Sequence, residues 1–234
     1  MRLPPTGIVA ASSAAAAPPH RSASPDAAAT PGSGPRSSAP ADAETEAQRA
    51  KRVQKQAKDC ERWKARLLQS SPIVRFMRDE LARAGCPFPP GLFRCQPCDA
   101  GAPAAIAGGF VPTQGIVLCQ ETLVNRDHME DTMAHELIHA FDQCTTRVDW
   151  SQCAHLACSE IRAANLSGDC KFGRELKRGN WALAAKHHQA CVKRRAILSL
   201  QNAKNCAEGH VAEEAVRHVW PHCFPDTAPF DEIY

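Results

Sequence analysis

Twelve cysteines constrain the fold of this 234-residue chain more than any other feature. All of them lie at or beyond Cys60, and only Cys95 and Cys98 form a Cys-x-x-Cys pair. An even number of cysteines scattered among helices and loops is typical of a disulfide framework rather than of metal clusters. We therefore expect up to six disulfides and an oxidising compartment. Since no convincing secretory signal is present, that compartment points to the mitochondrial intermembrane space.

Residues 1–44 differ in composition from the rest of the chain. Ala, Pro, Ser and Gly fill 31 of these 44 positions. Such a segment buries too little apolar surface to offset the entropy lost on ordering, so we predict a disordered tail. A mitochondrial presequence is the alternative, because the segment is rich in Ser and Ala, carries Arg2, Arg21 and Arg36, and has no acid before Asp26; its prolines, however, disfavour an amphipathic helix. We predict one domain over residues 45–234.

Charge and hydropathy exclude two classes of protein. The formal net charge of +3 argues against nucleic-acid binding driven by bulk electrostatics. No apolar run approaches the ~18 residues of a membrane-spanning helix. One face of the charged, helix-prone segment Ala43–Gln69 is basic, which indicates either a solvated face or a surface for anionic lipid or an acidic partner. Its cations are Lys51, Arg52, Lys55, Lys58, Arg62, Lys64 and Arg66.

Local signals predict a mostly helical domain with a short sheet. Ser71 is expected to cap a helix that ends at Gly85, a loop follows over Cys86–Ala105, and a strand follows over Gly115–Gln120. We expect the strand either to pair with an extended substrate at a sheet edge or to belong to the core. Asp127 and Glu130 resemble a capping box. The predicted later helices are Asp127–Gln143, Cys153–Leu166, Trp181–Asn202 and Glu208–Val219, the last ending before Pro221.

The chemistry of the chain is indicated by His135-Glu136-Leu137-Ile138-His139. At 3.6 residues per turn, His135 and His139 lie on one face of a helix and can bind one cation. Glu136 lies about 100° around the helix axis, beside the cation but not as a ligand. This arrangement suits hydrolysis by a zinc-activated water, with Glu136 as the catalytic base. The alternative is a pair of partly buried histidines beside a surface glutamate.

A catalytic zinc ion also needs a third protein ligand. Glu160 follows His139 by 21 residues on a separate predicted helix that can pack beside the first. Asp142 shares the histidine face, but it lies a further turn along, too far for one tetrahedral ion on a straight helix. We predict Glu160 as the ligand and keep Asp142 and His155 as alternatives. If Asp142 is not a ligand, we expect it to orient a histidine ring.

Several blocks of sequence, in the same order, resemble one known family over roughly residues 59–234. These blocks are Gly108–Phe110 with Gly115–Cys119, His135–Asp142, Ala157–Ala164, Leu166–Cys170, Cys191–Ala196 and Asp226–Tyr234. The family is the mitochondrial inner-membrane metalloprotease that matures and helps assemble ATP synthase, also described as the Ku-binding protein family. The resemblance implies an α+β, mostly helical, zincin-like metalloprotease domain with a short β-sheet. By motif match it implies His135 and His139 as zinc ligands and Glu136 as the catalytic residue.

The resemblance also implies a location and partners. The protein would be a zinc metalloendopeptidase attached peripherally to the inner membrane on the intermembrane-space side, with no nucleic-acid partner. It would process the ATP synthase subunit 6 precursor and help join that subunit to the subunit 9 ring. The alternative is a non-proteolytic assembly chaperone with a structural metal site. The Ku-binding label further suggests a nuclear DNA-repair partner, against which disulfides would weigh.

Overall fold

A computed structural model of the protein describes residues 44–86, 89–98, 106–170 and 184–231. The predicted tail lies outside the described residues, apart from its last position. The predicted start of a helix at Trp181 also lies outside them.

Two helices open the described chain: α1 begins three residues after the start of the predicted helix-prone segment, and α2 begins where the sequence predicts. Helix α1 spans Glu46–Ser70 and is capped by Thr45, whose side chain accepts a hydrogen bond from the backbone of Gln48. Helix α2 spans Pro72–Arg83, with Ser71 as its N-cap and proline in the first turn. Proline suits this position because its missing N–H would have no partner within the helix. The chain leaves α2 through Gly85, whose φ is +79°.

A small three-stranded sheet follows, which corrects the predicted loop and decides between the two alternatives for the predicted strand. The strands are β1 (Phe93–Gln96), β2 (Gly108–Val111) and β3 (Gly115–Cys119). Strand β1 lies within the predicted loop Cys86–Ala105. Their order is β1-β3-β2, with β1 parallel and β2 antiparallel to β3. Because β3 pairs on both sides, its edge cannot receive an extended substrate.

Four further helices complete the described chain. They are α3 (Arg126–Thr145), α4 (Cys153–Leu166), α5 (Ala184–Gln201) and α6 (Val211–Cys223). Asn125, not Asp127, caps α3, since the Asn125 side chain accepts from the backbone N–H of His128. Pro221 does not end α6 but lies inside its last turn, which continues to Cys223.

The described residues are thus mostly helical with a short sheet, as predicted. One buried cluster joins α1, α2, the sheet and α3, and a second joins α4, α5 and α6. Helix α4 contributes to both clusters, because Ala163 and Leu166 face the first while Leu156 and Ile161 face the second. None of the helices in the described part of the chain has the length and apolarity needed to span a lipid bilayer.

Six disulfides use all twelve cysteines, which confirms the expected framework. Three of them connect residues between Cys60 and Cys144, and three connect residues between Cys153 and Cys223. The pairs are Cys60–Cys95, Cys86–Cys144, Cys98–Cys119, Cys153–Cys206, Cys158–Cys223 and Cys170–Cys191. Cys95 and Cys98 therefore bond to different partners rather than to each other. No disulfide joins the N-terminal group to the C-terminal group.

This division predicts the outcome of peptide mapping. Arg147 is exposed and lies between the two groups of cysteines. A tryptic digest of the denatured, unreduced protein should contain no disulfide-linked peptide pair that joins the two sides of Arg147. Alkylation before reduction should label no cysteine, and alkylation after reduction should label all twelve. A linked pair that crosses Arg147 would contradict the framework.

Gly108 lets β2 approach α3 closely. A Cβ atom at this position would lie 2.8 Å from Thr132 Cγ2 and 2.9 Å from the carbonyl oxygen of Val117. It would also lie 3.7 Å from Cγ of Glu136. The absence of a side chain at Gly108 therefore sets the distance between the sheet and the helix that carries the His-Glu-x-x-His sequence.

We expect Gly108→Ala to destabilise the protein by about 1–3 kcal/mol, because the added methyl overpacks a buried contact. Urea unfolding should detect this loss. Adding Thr132→Ser removes one of the two clashing atoms and should restore part of the stability. The contact with the Val117 carbonyl remains, so full recovery is not expected. An unchanged unfolding midpoint for Gly108→Ala would contradict this packing.

Candidate metal centre

Helix α3 places His135 and His139 one above the other in the protein interior. Their ring centroids lie 4.9 Å apart, and the rings are nearly perpendicular. The two side chains are at most 1% exposed. Neither Nε2 atom has a hydrogen-bond partner. A buried polar atom without a partner is costly, so two of them at one point indicate a ligand.

Helix α4 brings Glu160 to the same point. One carboxylate oxygen lies 3.4 Å from His135 Nε2, and the other lies 3.6 Å from His139 Nε2. Donor atoms of the three residues all lie within 4.8 Å of one another. Ligands about 2.0–2.1 Å from a tetrahedral zinc ion are themselves about 3.3 Å apart. The spacing and the donor types therefore fit a zinc ion.

His135 is oriented through its other ring nitrogen. Its Nδ1 lies 3.0 Å from Oδ2 of Asp169, and Arg195 donates from Nη2 to that same oxygen at 3.0 Å. A carboxylate only accepts, so Nδ1 carries the proton and Nε2 presents its lone pair to a metal. Such carboxylate–histidine pairs fix the orientation of a metal ligand.

His139 is oriented by a longer chain of hydrogen bonds. Its Nδ1 lies 2.7 Å from Oγ of Ser159, and that hydroxyl lies 2.7 Å from Oδ2 of Asp142. The hydroxyl gives its single proton to Asp142 and therefore accepts from His139. The other oxygen of Asp142 accepts from Nε of Arg162 at 3.0 Å. Arg162 also donates to the backbone oxygens of Asp226 and Ala228.

The structure thus separates the three candidates for a third ligand. Only Glu160 joins the two histidines. Asp142 orients His139 through Ser159, and both of its oxygens are engaged. His155 is exposed, and its Nδ1 accepts from the backbone N–H of Asp149.

Glu136 is buried beside the ligand set with neither carboxylate oxygen in a hydrogen bond. Burial raises the pKa of Glu136 to about 8. The positive charge of His135 and the backbone of Phe110 oppose this rise in pKa, and the negative charge of Glu160 adds to it. A carboxyl group with a pKa near neutrality is suited to both accept and return a proton.

The surroundings of the two histidines shift their pKa values in opposite directions. Burial lowers the pKa of His139 to about 4, so its ring is neutral. Burial also opposes protonation of His135, but Asp169 and Glu160 outweigh it and raise the pKa of His135 to about 10, so a metal ion that binds Nε2 would have to displace the proton from this nitrogen. For Glu160, burial is outweighed by His139, His135 and Ser199, and its pKa is lowered. The carboxylate of Glu160 is therefore ionised, as a metal ligand requires.

Five residues that support the site were not predicted from sequence. Ser199 on α5 donates to a Glu160 oxygen at 2.5 Å, and the others are described above. Two weak signals were present. Ser159 directly precedes Glu160, and Asp169 lies just beyond the end of α4. The five residues are Ser159, Arg162, Asp169, Arg195 and Ser199.

Comparison with known proteins gives the family. The sequence model of the Peptidase M76 family matches residues 58–231, well over half of the chain. This chain belongs to the Peptidase M76 family. The buried His-His-Glu group therefore belongs to a chain of a peptidase family.

Curated relatives extend the similarity along most of the chain. The mitochondrial inner membrane protease atp23 of Schizosaccharomyces pombe is 44% identical over 77% of this chain and 95% of its own length. The protein of that name from Coccidioides immitis is 44% identical over 79% of this chain and 78% of its own. The protein of that name from Aspergillus niger is 45% identical over 76% of this chain and 73% of its own length. No solved structure matches the chain.

The ligand assignment predicts a metal-binding experiment. Glu160→Gln keeps the shape of the side chain but removes its charge, so tight zinc binding should be lost. Ser199→Ala removes only a hydrogen bond to Glu160 and should weaken zinc binding about 10–100-fold. The control is Glu208→Gln, an exposed acid outside the site. Zinc is measured by mass spectrometry and by competition with a chelator. Unchanged stoichiometry and affinity in Glu160→Gln would remove this residue from the ligand set.

Proposed function

We propose that this protein is a zinc metalloendopeptidase of the mitochondrial intermembrane space, bound peripherally to the inner membrane. The observation that carries the proposal is the convergence of His135, His139 and Glu160 beside the unpartnered carboxylate of Glu136. Membership of a peptidase family and relatives named as inner membrane proteases support it. Six disulfides support an oxidising compartment.

His135, His139 and Glu160 would hold the zinc ion. When bound, zinc supplies Lewis acidity, which lowers the pKa of water and polarises a carbonyl group. Glu136 accepts the proton of the attacking water as the new C–O bond forms. It then delivers that proton to the amine nitrogen as the C–N bond breaks. Asp169 and Ser159 keep both imidazoles in the tautomer that leaves Nε2 free.

We further propose the ATP synthase subunit 6 precursor as substrate, and assistance in joining subunit 6 to the subunit 9 ring as a second activity. Both rest on the family resemblance of the sequence. They agree with the location stated in the names of the relatives.

A non-proteolytic assembly chaperone with a structural metal site is the second candidate. The near-complete burial of the site favours it, because structural zinc sites are closed. Against it, structural sites almost always have four protein ligands. Only three donors converge within the part of the chain that the structure describes. An unsatisfied glutamate beside such a group also has no role in a purely structural site.

Glu136→Gln separates the two candidates. The amide cannot accept the water proton, so cleavage should fall at least about 10²–10⁴-fold while zinc remains bound. The measurement is processing of the subunit 6 precursor in isolated mitochondria, with its new N-terminus identified by mass spectrometry. Glu130→Gln, on the same helix and partly exposed, is the control.

The outcomes distinguish enzyme from substrate. Continued processing by Glu136→Gln would overturn the peptidase assignment. If the wild-type protein cleaves unrelated peptides but not the precursor, the peptidase assignment stands and the substrate is wrong. If assembly of the membrane sector persists in Glu136→Gln, the chaperone activity is independent of cleavage.

A further inference from the structure

Helix α1 has a buried face and an exposed basic face. Cys60 and Leu67 are fully buried and face the first core cluster. The opposite side of the helix has five exposed cations, which we call the basic stripe. The stripe consists of Lys51, Lys55, Lys58, Arg62 and Arg66.

Helix geometry places these five side chains in one line. At 100° per residue they fall within an arc of about 80°, centred roughly opposite the buried face. From Lys51 to Arg66 the line is about 22 Å long at 1.5 Å per residue. No acidic residue falls within this arc. The nearest, Asp59, lies about 20° outside it and pairs with Lys55 and Arg62.

The remaining cations of the stripe are available for an external partner. Lys51, Lys58 and Arg66 make no ion pair within the described part of the chain, and all three are exposed. Along the first ten residues of α1, from Glu46 to Lys55, every side chain is exposed. This end of the helix therefore extends beyond the protein core.

We propose that the basic stripe docks the protein on a membrane surface containing anionic phospholipids. This inference rests on the inner-membrane location in the proposed function. A row of cations along the exposed side of a helix fits an extended anionic plane. The apolar face of α1 packs against α2, β1 and α3, so the attraction is electrostatic rather than an insertion of apolar side chains.

Other polyanions fit the stripe less well. Proteins that bind single-stranded nucleic acid combine cations with exposed aromatic residues on which bases stack. The stripe contains no aromatic residue, and Trp63 of the same helix packs against the core. The chain as a whole has a net charge of only +3, too small for binding that is driven by total charge.

Vesicle binding tests the proposal with the full-length, oxidised protein. Flotation is measured with phosphatidylcholine vesicles, with and without 20% cardiolipin, at about 50 mM and 500 mM salt. We expect binding only to the anionic vesicles and release at high salt, where charge interactions are screened. The triple variant Lys51→Gln, Lys58→Gln, Arg66→Gln should lower the partition coefficient about a hundred-fold, at about five-fold per cation.

A matched triple variant controls for lost charge. Arg75→Gln, Lys204→Gln and Arg217→Gln remove three exposed cations elsewhere on the molecule and should change the partition coefficient by less than about three-fold. Equal weakening by both triple variants would overturn the proposal, as would equal binding to neutral vesicles. Binding to an oligonucleotide but not to anionic vesicles would also overturn it.

The test is independent of catalysis. Cleavage of a soluble peptide should be the same in the stripe variant and in the wild-type protein, because the stripe is on the side of α1 that faces away from the core. Glu136→Gln should bind anionic vesicles as the wild-type protein does. Failure of vesicle binding with intact peptide cleavage overturns the docking surface and leaves the peptidase assignment standing.

Discussion

The contact between α3 and α4 is the interaction on which the site depends. Cross-links stabilise each side of this contact, but none of the six disulfides crosses it. The candidate metal-ligand group is divided between the two sides, with both histidines on α3 and Glu160 on α4. Trp150, between the two helices in the chain, packs against both core clusters, and its ring lies 5.9 Å from that of His139. A bound cation would therefore connect two separately cross-linked groups of elements, and its binding energy would add to folding stability.

The disulfides also help to hold individual candidate ligands in position. Cys170 directly follows Asp169 and is bonded to Cys191 on α5. Arg195 lies one turn beyond Cys191 and donates to Asp169. This disulfide therefore holds together the ion pair that fixes the tautomer of His135. Glu160 gains similar support, because Cys158, on the same helix, is bonded to Cys223 of α6. Only 6% of the residues in this chain are aromatic, so large side chains contribute little to its packing. Covalent links instead help to position the buried charged site.

Sequence predicted the parts of the fold and site that depend on neighbouring residues. The pair His135 and His139 follows from helical periodicity, and the Ser71 cap follows from the residues beside it. Glu160 was predicted because its helix was recognisable. The paired position of β3, however, depends on residues about 20 positions away in β1, which local patterns do not report. The same is true of Ser199, 39 residues from Glu160, and of Asp169, 34 residues from His135. The zincin-like fold stays a prediction.

The burial of Glu136 lowers the folding stability, because buried carboxylate oxygens without a hydrogen bond are costly. A hydrogen bond to its carboxylate would lower the cost of burial but would also lower the pKa and weaken the base. Glu136 instead lies fully buried against β2, where a Cβ atom at Gly108 would come within 3.7 Å of its Cγ. Every other carboxylate near the site, in contrast, has a hydrogen-bonded partner: Glu160 has Ser199, Asp142 has Ser159 and Asp169 has Arg195. Among these four carboxylates, Glu136 is thus the one whose side-chain oxygens are buried without a partner, and a perturbed proton affinity of this kind is typical of a catalytic base.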